Sequence, residues 1–170
     1  MAVLPVRELG DPILRQPAAP FDDPRGSEVA RVMADMRDTL GDIRSRTGYG
    51  RAMSAPQIGV LKRALLIDYR DQRIELVNPR FERWGREEES RYESCFSFPG
   101  IWGLVQRPVS VIVVGWTPAG QELRIEASGT LSRILQHEMD HLDGLVWLDR
   151  DPDLHSVCTT AEYEKRYTSR

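Results

Sequence analysis

The chain has 170 residues, of which 41% are hydrophobic, and its net charge at neutral pH is −3. This length and apolar content suit a single domain over residues 1–170. The sequence pI near 5.7 and the absence of a basic block argue against a nucleic-acid or membrane partner. No apolar run has signal-peptide or membrane-spanning length, so we expect a cytoplasmic protein.

The first predicted element is a helix that Ser27 caps and that Gly48 ends. Its apolar residues recur with the 3.6-residue period, at Val29, Val32, Met33, Met36, Leu40 and Ile43. Residues 50–59 are rich in small side chains and predict a loop. Residues 64–69 then predict a strand, and residues 73–77 its hairpin partner across a polar turn at 70–72.

Strands dominate the middle of the chain. Residues 92–98, 109–116 and 121–127 are strand candidates, and a Pro-Ala-Gly turn at 118–120 joins the last two. A second helix follows near residue 131. Because strands and helices do not alternate, the pattern favours an α+β fold with mainly antiparallel sheets packed around this central helix, and with one N-terminal helix.

The central helix carries His137-Glu138-Met139-Asp140-His141. Two imidazoles at i and i+4 lie on one face of a helix, where they can share a divalent metal. His137, Glu138 and His141 fall inside an apolar stripe of this helix, in which an ionised carboxylate is costly without a partner. The opposite side of the helix carries Ser132, Arg133, Gln136, Asp140 and Asp143. An ordinary amphipathic helix with packed histidines is the alternative.

A third metal ligand is expected upstream of this helix. Downstream, neither His155 nor Glu162 repeats the spacing of the common zinc peptidases. Two cysteines are too few for a disulfide framework, so Cys95 is a ligand, a nucleophile or buried filler. We interpret Cys158 and His155, in the polar C-terminal tail, as non-functional.

Three stretches together resemble the motifs of the peptide deformylases. The family's Gly-rich loop ending in A-P-Q-I-G corresponds to residues 50–59, its E-G-C-L-S to residues 93–97, and its Q-H-E-x-D-H-L-x-G to residues 136–144. The segment 9–15 is also similar, so the resemblance covers roughly residues 5–150. It implies hydrolysis of the formyl group from the N-terminal formyl-methionine of new polypeptides, with release of formate.

The resemblance also implies roles for individual residues. The metal ligands would be Cys95, His137 and His141, with water in the fourth position. Glu138 would transfer protons, while Gln57 and the backbone N–H of Phe96 would donate to the oxygen of the tetrahedral intermediate. The residues expected to contact substrate are Gly50, Ala52, Met53 and Ile134.

The expected cofactor is one divalent metal, Fe²⁺ by resemblance, with Zn²⁺, Ni²⁺ or Co²⁺ as alternatives. The expected partners are nascent polypeptide N-termini near the ribosome, and the expected state is a monomer or weak dimer. Ala52, Ser94 and Phe96 depart from the family pattern, which leaves open a degenerate or differently selective member. A general HExxH peptidase and a non-catalytic binding module are further alternatives.

Some polar residues have two interpretations. Glu93, Arg107 and Asp140 either orient the metal ligands or form ordinary surface pairs. Arg51 either reaches the rim of the cleft and meets a peptide carbonyl or is a solvated surface arginine.

Overall fold

The structure is a computed structural model that describes residues 2–150 and 153–168. In chain order its elements are α1 (Ser27–Thr47), β1 (Ala52–Ser54), β2 (Ala64–Tyr69), β3 (Gln72–Trp84), β4 (Glu88–Cys95), β5 (Phe98–Pro108), β6 (Ser110–Trp116), β7 (Glu122–Ser128), α2 (Gly129–Leu142), β8 (Cys158–Thr159) and α3 (Thr160–Tyr167). Short 3₁₀ helices lie at Pro12–Arg15, Ala55–Ile58, Trp147–Arg150 and Leu154–Ser156.

Antiparallel pairing joins these strands into a five-stranded sheet, ordered β1-β2-β3-β6-β7, and a three-stranded sheet, ordered β4-β5-β8. Helix α2 packs on one face of the five-stranded sheet and α1 on the other. Strand β2 shows the two-residue period: Leu65 and Ile67 join the α2 core, and Ala64 and Leu66 the α1 core. The predicted α+β class is confirmed. Within the described ranges, no helix combines the length and apolar character that crossing a bilayer requires.

Helix α1 follows the prediction except at its first residue. The six predicted apolar positions are buried, and Gly48 ends the helix in a left-handed conformation with φ of 73°. The predicted cap is wrong, because Ser27 is already helical. Gly26 is the N-cap and makes no side-chain capping bond.

Strand β3 is longer than the predicted segment 73–77. The pair Asn78-Pro79 is typical of a turn. Strand β3 nevertheless continues through it, with a register shift between Val77 and Arg80 in its pairing with β6. Asn78 adopts a left-handed φ of 50°. Its side-chain amide accepts from the backbone N–H of Phe21 at 2.8 Å and donates to the Phe21 carbonyl at 2.9 Å. These two bonds compensate the cost of the unusual backbone conformation.

The predicted strand at 92–98 is two strands joined by a turn. Strand β4 ends at Cys95, and β5, which the sequence did not predict, begins at Phe98. Pro99, Gly100 and Gly103 weaken the strand pattern of β5. Gly103 is required by packing, because a Cβ built on it would lie 2.4 Å from the indole ring of the buried Trp147.

The C-terminal segment is folded rather than an unstructured polar tail. Strand β8 pairs with β5, and the hydroxyl of Thr159 caps α3. An aromatic cluster holds α3 against the β4–β5 hairpin. In it, the rings of Trp102 and Tyr163 stack with centroids 4.0 Å apart, and the hydroxyls of Tyr92 and Tyr167 lie 3.0 Å apart.

Two glycine substitutions should have opposite effects on stability. Gly103→Ala forces a methyl group into the Trp147 ring and should lower the free energy of unfolding by about 1–3 kcal/mol. Gly41→Ala, at an exposed position of α1 with open space around the new methyl, should raise it by about 0.5–1 kcal/mol. Denaturant unfolding followed by circular dichroism measures both. A Gly103→Ala protein as stable as the parent would contradict the packing described here.

Candidate metal-dependent active site

Cys95, His137 and His141 converge on one point between the two sheets. Cys95 is the last residue of β4, and both histidines lie on α2. One ligand atom from each residue lies within 4.8 Å of the others, and the Cys95 sulfur is 3.3 Å from Nε2 of His141. The register shift in the β4–β5 pairing between Glu93 and Cys95 directs the cysteine toward the helix.

The charged groups around Cys95, His137 and His141 favour a positive charge between these three residues. Nδ1 of His137 lies 2.9 Å from Oε2 of Glu93, which leaves Nε2 to face the site. Burial opposes ionisation of the Cys95 thiol, but His141 and His137 outweigh it and hold the pKa of Cys95 well below its usual value. Burial lowers the pKa of His137, yet Cys95 and Glu93 raise it overall. Metals bind thiolate and neutral imidazole, so a divalent ion bound here would displace the proton that the raised pKa favours on His137.

A buried ion network supports His137. The Arg107 guanidinium donates to both oxygens of Glu93, at 2.6 and 2.9 Å, and to Oδ2 of Asp140 at 2.8 Å. Glu93, Arg107 and Asp140 are 6%, 2% and 1% exposed, which excludes the surface-pair interpretation. Arg133 donates to Glu93 at 2.7 Å, and Arg150 pairs with Asp140.

Pairing keeps this network charged despite its burial. Desolvation acts to raise the pKa of Glu93, but hydrogen bonds from His137 and Arg107 bring it below the usual value. Desolvation acts to lower the pKa of Arg107, and its two carboxylate partners raise it overall. Glu93 is therefore a carboxylate that fixes the ring orientation of His137.

Glu138 is buried beside the metal-ligand group without a partner on one oxygen. Its Oε2 has no hydrogen bond in the described part of the chain. Burial is the main reason that its pKa is raised, and the adjacent histidines only partly offset this. A buried carboxylate oxygen without a hydrogen bond, in a side chain that interacts electrostatically with a thiol and two imidazoles, fits a site completed by a metal and water. The residues present therefore fit a divalent ion with three protein ligands and an open position.

The side chain of Gln57 is held with its amide nitrogen toward the same point. Its Oε1 accepts from the backbone N–H and the hydroxyl of Ser54, at 2.9 and 3.0 Å. Nε2 therefore points to the sulfur of Cys95 and the hydroxyl of Ser97, each 3.4 Å away. A glutamine fixed in this way presents a donor without needing to reorganise.

The other predicted site residues surround this centre in different ways. Ile134 is half-buried on α2, one turn from His137, and Ala52 is a nearly buried residue of the edge strand β1 without positive φ. The side chain of Met53 is fully buried in the α1 core, so only its backbone can meet a substrate. The side chain of Phe96 packs toward that core and toward Gly50.

Sequence reasoning missed four residues that support the site. Two of them, Ser54 and Ser97, contact Gln57, and the other two, Arg133 and Arg150, complete the ion network. Ser54 and Ser97 lie inside the quoted motifs, so their position was a usable signal. In the sequence alone, Arg133 and Arg150 are typical of solvated surface charges. Their roles become visible only when the positions of β4 and β5 are known.

Fold and site together fit a metal-dependent hydrolase in which the histidines of an HExxH helix lie beside a cysteine from an upstream strand. Comparison with known proteins makes this specific. A family model described as polypeptide deformylase matches residues 3–156. The peptide deformylase of Natranaerobius thermophilus is 38% identical over 154 residues, covering 88% of this chain and 93% of that relative. The peptide deformylase of Acidothermus cellulolyticus is 34% identical, and the match covers 100% of this chain and 91% of that relative.

Solved structures agree with these relatives. The peptide deformylase of Thermotoga maritima superposes with a TM-score of 0.81 at 28% identity, covering 88% of this chain and 98% of that one. The peptide deformylase of Synechococcus elongatus in complex with actinonin has a TM-score of 0.80 at 35% identity, and the match covers 86% of this chain and 78% of that one. The chain belongs to the peptide deformylase family, and it is a metallohydrolase.

Removing the central arginine should destabilise the protein strongly. Arg107→Met leaves the carboxylates of Glu93 and Asp140 buried without their main partner, which should cost about 3–5 kcal/mol. The matched control is Arg46→Met, which breaks an exposed pair with Asp42 and should cost less than about 1 kcal/mol. Denaturant unfolding measures both. Equal losses in the two variants would contradict the role assigned to the buried network.

Proposed function

We propose that Cys95, His137 and His141 hold one divalent ion and that Glu138, Gln57 and Phe96 carry out the hydrolysis of N-terminal formyl-methionine. The observation that carries this proposal is the convergence of the three ligand atoms beside the unpartnered Oε2 of Glu138. When bound, the ion supplies Lewis acidity, which lowers the pKa of a coordinated water toward 7.

Glu138 is proposed as the group that moves the proton. Its free oxygen accepts a proton from the attacking water and then delivers it to the amine that leaves. Burial raises the affinity of this carboxylate for a proton, and the nearby histidines limit the rise. A carboxylate with a raised pKa is a better proton acceptor than an ordinary glutamate, which suits a group that takes up a proton and passes it on.

Gln57 and the backbone N–H of Phe96 are proposed to stabilise the carbonyl oxygen as it gains negative charge. Two bonds from Ser54 fix the amide of Gln57, so its N–H groups are already aimed at the site. The second donor is assigned to Phe96 by the family resemblance and because Phe96 follows Cys95, the last residue of β4, directly in the chain. Donors of this kind typically lower the activation barrier by about 2.7–4 kcal/mol each.

The peptide main chain is proposed to lie along β1. This strand is at the edge of its sheet and leads from Gly50 through Ala52 toward Gln57. An edge strand can pair with an extended peptide through its free backbone groups. A structure of the Acinetobacter baumannii deformylase with Met-Ala-Ser bound has a TM-score of 0.79 to this chain at 28% identity. The methionine side chain would then reach Ile134 and the ring of His137.

We propose Fe²⁺ as the ion and the cytoplasm, near the ribosome, as the place of action. The thiolate and two imidazoles suit iron and zinc alike on ligand chemistry alone, and the choice of iron is supported by the family resemblance only. Metal analysis of protein purified without oxygen tests this choice. Formyl-methionine stands at the N-terminus only of newly made chains, which places the reaction early in their life.

The proton-transfer role can be separated from metal binding. Glu138→Ala should keep one metal per chain but lose about 10²–10⁴-fold in turnover of formyl-Met-Ala-Ser, measured as formate released. Glu122→Ala, an exposed glutamate on β7, is the matched control and should keep both properties. Loss of metal in proportion to loss of activity would make Glu138 a ligand or a structural support instead.

Selectivity for the acyl group distinguishes a deformylase from a broader HExxH peptidase. The formyl group is proposed to lie beside Cys95, Gln57 and the Phe96 backbone, and the 3.4 Å contact between Gln57 and Cys95 would leave little room there for the extra methyl of an acetyl group. One methyl in a close-fitting pocket is worth about 10–200-fold. Formyl-Met peptides should therefore react at least about tenfold faster than acetyl-Met peptides. Comparable rates, or cleavage within an unblocked peptide, would favour the peptidase.

A further inference from the structure

Helix α2 exposes a narrow stripe that leads away from the metal ligands. Most of its side chains are buried, but Thr130, Leu131, Ile134 and His137 are half-exposed and follow one another along one side. His137 and Leu131 are six residues apart, which is about 9 Å along a helix. An extended peptide covers that distance in about three residues. The far end of the stripe is therefore where the third residue of a substrate would lie.

At this far end the stripe opens into a surface groove of about 330 Å³. The start of α2, with Thr130 and Leu131, forms one wall. The turn between β2 and β3, with Tyr69 and Arg70, forms the other. Strand β1 points to the same place, because a peptide whose formyl end lies at Gln57 must run back along β1 toward Arg51.

Two arginines contact the ring of Tyr69, and one of them, Arg70, lines the groove. The guanidinium carbon of Arg70 lies 5.1 Å from the centroid of the Tyr69 ring, and that of Arg51 lies 5.5 Å from it. Both arginines are exposed, and neither forms an ion pair within residues 2–150 and 153–168. Both guanidinium groups thus contact the same ring, and this contact leaves their positive charges unneutralised.

Neighbouring charges leave this patch positive. Asp68 is already bound by Arg44 at 3.0 Å and by Arg73 at 2.9 Å. Asp71, beside Arg70, is the remaining acid of the turn. The patch thus has more positive than negative groups: four arginines and two aspartates, namely Arg44, Arg51, Arg70, Arg73, Asp68 and Asp71. Arg91, which donates to Thr130 on the other side of the cleft, is paired with Glu89 and adds no free charge.

Arg70 also occupies a backbone position that favours other residues. Its φ is 55°, in the left-handed region that glycine and asparagine adopt more easily than arginine. An arginine here is therefore not explained by the turn itself. Asparagine is the substitution that removes the charge while suiting the backbone.

We propose that Arg51, Tyr69 and Arg70 form a subsite for a carboxylate at the third residue of the formylated substrate. Tyr69 orients the two guanidinium groups, and an aspartate or glutamate side chain supplies the missing negative charge. This inference rests on the proposed function, because it places the substrate's formyl end at the metal ligands. It makes acidic third residues preferred substrates.

The test compares amidated formyl-Met-Ala-Asp, formyl-Met-Ala-Asn and formyl-Met-Ala-Lys with the metal-loaded protein. Amidation removes the terminal carboxylate, which would otherwise stand near the same position. At low salt we expect kcat/KM to fall in the order Asp, Asn, Lys, with up to about fivefold between the first two, as for an exposed ion pair. The difference should shrink at about 0.5 M salt because screening weakens exposed charges.

Variants assign the preference to the subsite. The Asp-to-Asn ratio should fall to about one in Arg70→Asn, decrease in Arg51→Gln and invert in Arg70→Glu. Arg83→Gln, an exposed arginine on β3, is the matched control and should keep both the parent's rates and its ratio. Titration of the product peptides Met-Ala-Asp-amide and Met-Ala-Asn-amide should give the same ranking in affinity.

The outcomes are distinguishable. Equal rates and equal product affinities in the parent protein, or a ratio retained in Arg70→Asn, would overturn the subsite. Binding of a short RNA that Arg70→Asn abolishes, with no effect of peptide charge, would overturn it in favour of a nucleic-acid contact. No formate release from any formylated peptide would contradict the proposed function, and the product-peptide titration would still decide the subsite.

Discussion

The guanidinium of Arg107 holds together the three segments from which the site is built. It extends from β5, binds both oxygens of Glu93 on β4 and reaches Asp140 on α2. Glu93 in turn fixes the ring of His137. A buried carboxylate without its arginine would cost several kcal/mol, so strand pairing, helix position and imidazole orientation are coupled. Arg107 is thus the common partner of the two carboxylates that link β4 and α2, and Arg133 and Arg150 add to the same network.

Each side of the reaction centre comes from a different layer of the fold. The three-stranded sheet carries Cys95 and the N–H of Phe96, α2 carries the histidines and Glu138, and the 3₁₀ helix after β1 carries Gln57. None of these groups is close to its partners until both sheets have packed on α2. Metal binding therefore stabilises the packed arrangement of the layers as well as the ligands themselves.

Local patterns in the sequence predicted α1, β2, the α+β class and the residues that converge at the centre. These local patterns failed where contacts between residues far apart in the sequence determine the structure. Strand β5 was missed because Gly103 weakens its pattern, and that glycine is explained only by Trp147, which lies far along the chain. Arg133 was assigned to a polar face, yet it is buried because Glu93 and two carbonyl groups receive it. A single sequence gives no sign of such partners.

The two edges of the five-stranded sheet are protected against self-association in different ways. Strand β7, at one edge, carries exposed Glu122, Arg124 and Glu126, whose charges oppose pairing with another sheet. Strand β1, at the other edge, has only Ala52, Met53 and Ser54, and Pro56 follows at once. A three-residue edge that ends just before a proline is too short to template aggregation. The open edge therefore carries little risk of fibre formation.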